Sequence, residues 1–254
     1  DSNATDENAQ VENAHVESRA DAAIASGVDY HSFANPSEVK VTHLSLNLTA
    51  DFENKQLVGD VTLDVKRIKP ENNTLVLDTR ALDIKSVTVE GESVPFEMGE
   101  ADADLGTPLT ITLPSAADSV TVAYSTSPEA SGVQWLTPAQ TAGKKHPFLF
   151  TQAQAVHARS FIPLQDSPQV RVTYDATIKT PEALLAVMSA SNDPTTARDG
   201  EYEFTMPQPI PSYLIALAIG DLKFKAMGER TGVYAEPALL ESAAKEFEDT
   251  EAML

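Results

Sequence analysis

Apolar residues recur at every second position through the segment that begins at Val39, and this alternation limits the possible folds more than any other feature. Leu44, Leu46, Leu48, Ala50 and Phe52 alternate with polar residues, and Leu57, Gly59, Val61, Leu63 and Val65 then repeat the pattern. A period of two places successive side chains on opposite faces of an extended strand, so one face is built to be buried and the other to meet water. The polar run Glu53-Asn54-Lys55-Gln56 between the two stretches is read as a hairpin turn. Shorter strands are predicted over 74–77, 84–89, 109–113, 120–124, 170–178, 184–190, 202–206, 213–219 and 222–227, separated by Pro-, Gly- and Asp-containing turns and by an acidic loop at 98–106. Many short strands with closely spaced turn signals predict an antiparallel or mixed all-β domain.

Two segments depart from this pattern. Residues 1–34 are rich in Asn, Ala, Glu and Asp with little apolar periodicity, and are read as a flexible acidic tether carrying His15 and His31 as solvated side chains. At the other end, Pro237 is placed to open a helix and Glu236 to sit near its positive end. Leu240, Ala243, Ala244, Phe247 and Leu254 then form an apolar stripe opposite Glu241, Lys245, Glu248 and Asp249. No Gly or Pro stops this helix, so the sequence is expected to end inside it, cut from something longer. The organisation expected is a tether at 1–34, a β domain at 35–228 and the start of a further domain at 229–254.

The formal charge of −20 makes nucleic acid an unfavourable partner. No apolar run reaches the roughly 18–20 residues that a membrane-spanning helix needs. With no cysteine, the chain offers neither thiolate metal ligands nor a cysteine nucleophile. The five histidines include no i, i+2 or i, i+4 pair, and no His-Glu-x-x-His, Gly-x-Ser-x-Gly or Gly-rich phosphate loop is present. Carboxylates cluster where a solvated face explains them, so neither catalytic nor metal-ligating residues are assigned.

The one suggestive pair is Gln152 and Gln154, which follow the apolar run His146-Pro147-Phe148-Leu149-Phe150. On an extended chain, residues two apart point to one face. Each amide can donate and accept without carrying charge, which suits holding the end of a peptide but cannot cleave a bond. The sole tryptophan, Trp135, is read as a core or rim aromatic.

Several motifs in order resemble the zinc metalloaminopeptidases of the gluzincin type, in the branch containing leukotriene epoxide hydrolase and bacterial cold-active aminopeptidases. They are VQWLTPAQT at 133–141, HPFLFTQAQAVHAR at 146–159, QDSP at 165–168, PIPSYLIALAIG at 209–220, GERT at 228–231 and FEDTEAML at 247–254. The resemblance covers residues 36–254. It implies a saddle-shaped β domain that covers a thermolysin-like catalytic domain, with Gln152 and Gln154 at the rim of the active site, in contact with the substrate's amino-terminal residue. His157 and Arg159 would buttress that loop, and Lys144, Lys145 and His146 would form a solvent-facing turn. The family's zinc ligands, its exopeptidase motif and its transition-state tyrosine have no counterpart here, so the zinc belongs to the missing catalytic domain and the chain alone should be inert. Peptide amino termini and that catalytic domain are the implied partners. The branch suggests a bacterial source, and a tether after a cleaved leader suggests a periplasmic or extracellular location, with the cytoplasm as the alternative. A free-standing β-sandwich binding or adaptor module is the competing reading.

Overall fold

The computed structural model describes residues 29–254. Residues 1–28 of the expected tether, His15 among them, lie outside the described residues. Residues 29–34 are fixed to the β domain. Ser32 Oγ and the Phe33 N–H donate to Asp78, and Ser167 Oγ donates to Asp29.

Among the described residues sixteen strands follow in chain order: β1 (Val39–Asp51), β2 (Gln56–Arg67), β3 (Thr74–Thr79), β4 (Asp83–Val89), β5 (Glu92–Ser93), β6 (Phe96–Met98), β7 (Thr107–Thr112) and β8 (Ser119–Ser125). Then come β9 (Val133–Leu136), β10 (Phe148–Thr151), β11 (Arg171–Lys179), β12 (Leu185–Met188), β13 (Glu201–Pro211), β14 (Leu217–Gly220), β15 (Lys223–Ala226) and β16 (Gly232–Ala235). The largest sheet has seven strands in the order β13-β11-β1-β2-β8-β4-β5. A four-stranded sheet runs β12-β14-β10-β9, a three-stranded sheet β3-β7-β6, and β15 pairs with β16. Among the described strands only β1–β11 is a parallel pair, so the fold is mainly β with mixed and antiparallel sheets, as expected.

The alternating segment forms the centre of the large sheet. β1 and β2 pair from Val39↔Arg67 to Asp51↔Gln56, and the turn between them is closed by Asp51 Oδ1, which accepts from the backbone N–H groups of Glu53 and Asn54. A register shift between Val41 and His43 explains why the buried residues change phase, from Val39 and Val41 to Leu44, Leu46 and Leu48. An extra residue at a bulge returns the following apolar side chains to the core face. Gly59 is needed where it stands, because a Cβ there would lie 1.9 Å from the Asn47 carbonyl oxygen. Leu44, Leu46, Val61, Leu63, Val122 and Tyr174 from the large sheet share one core with Leu75, Leu77, Leu109 and Ile111 of the three-stranded sheet and Leu149, Ala186 and Ile219 of the four-stranded one.

The chain terminus departs from expectation. Instead of one helix from Pro237, there are two short ones, α1 (Leu240–Glu246) and α2 (Thr250–Met253). Glu236 does not sit at a helix start; its carboxylate accepts from the Ala142 and Gly143 N–H groups at 2.9 and 3.1 Å. The run Glu246-Phe247-Glu248-Asp249 puts three carboxylates at the negative end of α1, where they are unfavourable. Glu251 ties α2 to the turn between β15 and β16 by accepting from Thr231 Oγ1 at 2.6 Å. Of the expected apolar stripe only Ala244 is buried, while Phe247 and Leu254 are exposed. The predicted strand over 213–219 is a 3-10 turn at Ser212–Leu214 followed by β14. Ser212 Oγ donates to buried Asp166, and this contact diverts the chain out of the strand direction.

Candidate functional site

Beyond β10 the chain leaves the sheet, and Gln152 and Gln154 lie in the turn that follows. They are not on an extended strand, so alternation does not account for their placement. Both side chains are exposed while Ala153 between them is buried. The Gln152 N–H donates to the Gly132 carbonyl at 2.9 Å, and Gln152 Oε1 accepts from the Gln154 N–H at 3.2 Å. The Gln152 side-chain oxygen therefore helps to shape the turn, while its NH2 group and the Gln154 side chain lie at the surface.

The loop rests on a buried polar network. Arg159 is fully buried, and its Nε donates to Asp166 Oδ2 at 3.0 Å. Its Nη1 donates to the Leu105 carbonyl at 2.8 Å, and its Nη2 to the carbonyls of His31 (2.8 Å) and Asp166 (3.0 Å). Asp78 stands 3.8 Å from Nη1 and accepts from Ser32 Oγ and from the Phe33 and Asp166 N–H groups. Burial pushes the Asp78 carboxyl above its usual range, against the opposing pull of Arg159 and these donors. A buried guanidinium requires such a surround, because an unpaired charge in the core is strongly destabilising. Tyr124, whose phenol burial also pushes up, donates to the Phe161 carbonyl at 2.9 Å.

Other residues singled out by the sequence take positions around this core. His157 is half-buried, with Nδ1 2.9 Å from Ser131 Oγ and 3.4 Å from Arg80 Nη1. Lys144 and Lys145 are exposed in the turn before β10, and Lys144 Nζ donates to the Ala139 carbonyl. Trp135 is half-buried on β9 and packs edge-on against Phe52, with ring centroids 5.2 Å apart.

Three contributors were not legible from residue types. Gln165 behaves as a piece of strand: its Oε1 accepts from the Val41 N–H and its Nε2 donates to the Val39 carbonyl. Asp78 is the second carboxylate facing Arg159, and Ser160, fully buried, links the loop to Gly132. The available signal was a charged residue, Arg159, set among the apolar residues of 155–164. A cation in such a run requires acceptors brought in from distant strands.

The peptidase M1 N-terminal domain profile matches residues 40–214. The chain belongs to that family. This M1 domain is 41% identical over 236 residues to leukotriene A-4 hydrolase of Xenopus laevis, covering 89% of this chain and 39% of that protein. It is 42% identical over 230 residues to leucine aminopeptidase 2 of Yarrowia lipolytica, covering 88% of this chain and 35% of that one. The solved structure of native yeast LTA4 hydrolase superposes with a TM-score of 0.81 at 35% identity, over 87% of this chain and 35% of that chain. An M1 zinc metallopeptidase from Deinococcus radiodurans, at 23% identity and a TM-score of 0.59, shares the fold. The M1 domain thus spans little more than a third of the length of its curated relatives.

These curated relatives come from a frog and a yeast, so they lend no support to the bacterial source expected from the sequence, nor to the periplasmic or extracellular location expected with it. Among the described residues no group of three His, Asp or Glu side chains could hold a metal ion, and no helix is long and apolar enough to cross a membrane. The described residues of this M1 domain therefore offer no zinc site.

Proposed function

We propose that this domain is the amino-terminal part of a zinc-dependent aminopeptidase, in which Gln152 and Gln154 hold the substrate's amino-terminal residue at the rim of the active site. In this reading residues 35–228 form the substrate-facing β domain and 229–254 begin the catalytic domain, which carries the zinc and performs the cleavage. The observation that carries the reading is the pair of exposed neutral amides on a loop tied to the core at the Gln152 N–H. An amide oxygen can accept from a peptide's terminal ammonium group, and an amide NH2 can donate to its first carbonyl. Relatives named as leucine aminopeptidases support the substrate class. The competing reading, a free-standing binding module, has no observation in its favour.

The test is Gln152→Ala and Gln154→Ala in the full-length enzyme. A hydrogen bond to a charged group contributes about 1.5–3 kcal/mol, so catalytic efficiency should fall roughly ten- to a hundred-fold. Zinc content and melting temperature should stay unchanged. Full activity in both variants would make the pair structural and overturn the proposal, as would activity lost only together with stability.

A further inference from the structure

We propose that Ser160, acting with Gly132, positions the glutamine pair. The inference rests on the reading that these glutamines hold the substrate, and it names what sets their geometry. The Ser160 hydroxyl is fully buried and makes two hydrogen bonds: it accepts from the Gly132 N–H at 2.9 Å and donates to the His157 carbonyl at 2.7 Å. Each of those residues grips the glutamine loop in turn. The Gly132 carbonyl accepts from the Gln152 N–H at 2.9 Å, and the His157 N–H donates to the Ala153 carbonyl at 2.8 Å. The Ala153 carbonyl belongs to the peptide group that leads into Gln154. One hydroxyl therefore closes a ring that fixes the backbone at both glutamines, from Gln152 through Gly132, Ser160 and His157 back to Ala153.

The ring has no slack at Gly132. A Cβ at that position would lie 2.7 Å from the His157 carbonyl oxygen and 2.8 Å from Ser160 Oγ, so a side chain there would push the two grips apart. Linked hydrogen bonds in a low-dielectric interior polarise one another, and losing the central member weakens the rest. Neither Ser160 nor Gly132 would touch substrate. Their effect passes through the direction in which the two exposed amides are held, and small misplacements of a binding group are costly in catalytic efficiency.

A double-substitution cycle in the full-length enzyme tests this. Ser160→Ala should lower kcat/KM for an amino-terminal dipeptide substrate by about ten-fold, chiefly through KM, with zinc content unchanged. In a Gln152→Ala/Gln154→Ala background, Ser160→Ala should cost less than about two-fold, because nothing remains for it to position. Ser160→Cys, which keeps the size and a weak donor, should fall between parent and Ser160→Ala. Should Ser160→Ala fail to fold, the same cycle run with Ser160→Cys decides the matter. If the losses multiply, so that the serine substitution costs the same in both backgrounds, Ser160 acts on general stability and the inference is overturned. It is also overturned if the glutamine variants are impaired while both Ser160 variants keep full activity. If the glutamine variants are themselves fully active, the reading on which it rests fails first.

Discussion

Replacing Arg159 with methionine should be strongly destabilising although it leaves the packing volume of the core nearly intact. The guanidinium is fully buried, neutralises Asp166 at 3.0 Å, stands 3.8 Å from Asp78, and satisfies the carbonyls of Leu105, His31 and Asp166. Arg159→Met keeps an unbranched apolar stem but leaves the buried carboxylates of Asp78 and Asp166 without their cation. Removing one partner of a buried ion pair costs about 3–5 kcal/mol. For a chain of this size each kcal/mol moves the melting temperature by about 2–4 °C, which gives a drop of roughly 6–20 °C. Equilibrium urea unfolding at neutral pH, followed by fluorescence of the sole tryptophan, Trp135, reads the same free energy. Lys179→Met is the control: Lys179 pairs with Glu201 at 3.6 Å with both side chains about half-exposed, and its loss should cost less than about 1 kcal/mol. An Arg159→Met variant within about 1 kcal/mol of the parent would refute the reasoning, because the network would then hold without its cation.

Three further outcomes follow from the same structure. Burial raises the Asp78 carboxyl above its ordinary value, so the folded state holds that proton more tightly than the unfolded state. The stability Asp78 contributes is thus present at pH below about 4 and declines as pH rises through the raised value; urea titrations should show Asp78→Asn costing more near pH 4 than at pH 7, and the reverse order would contradict the assignment. Gly59→Ala should lower stability by more than about 2 kcal/mol, since its methyl would meet the Asn47 carbonyl inside the β1–β2 ladder; a melting temperature equal to the parent's would show that the two strands can part there. Short helices depend on tertiary packing, so amides of Leu240–Met253 should exchange with deuterium faster than those of Arg171–Lys179, and equal protection would show the terminal helices to be firmly docked.

The β domain was legible wherever one rule governed many residues at once. Alternation marked β1, β2, β8 and β11 because each has one face in the core, and turn residues marked the connections between them. It failed at Tyr213, where an apolar run long enough for a strand is interrupted by a single hydrogen bond from Ser212 to Asp166. It failed again after Pro237, where the apolar stripe was real in sequence but the acidic run and the pull of Glu251 on Thr231 divided the helix. Each failure involves a partner distant in sequence, Asp166 for Ser212 and Thr231 for Glu251. The glutamines show the same division: their chemistry could be read from residue type, but their geometry depends on Gly132 and Ser160, neither of which carries a signature. Arg159 lies between these cases, since its burial could be suspected from its apolar neighbours while its two carboxylates could not be paired with it in advance.

The single parallel pairing in the large sheet has a consequence for how the chain is made. β1 lies between β2, its hairpin partner, and β11, which begins 120 residues after Asp51. A ribosome delivers the hairpin long before it delivers β11, and until then the inner edge of β1 carries open backbone donors and acceptors beside a row of leucines. Such an edge invites pairing with other chains, and closing so distant a contact is slow. Gln165 reaches the Val39 and Val41 backbone six residues before β11 begins, so it would occupy part of that edge first and set the starting position from which β11 zips into place.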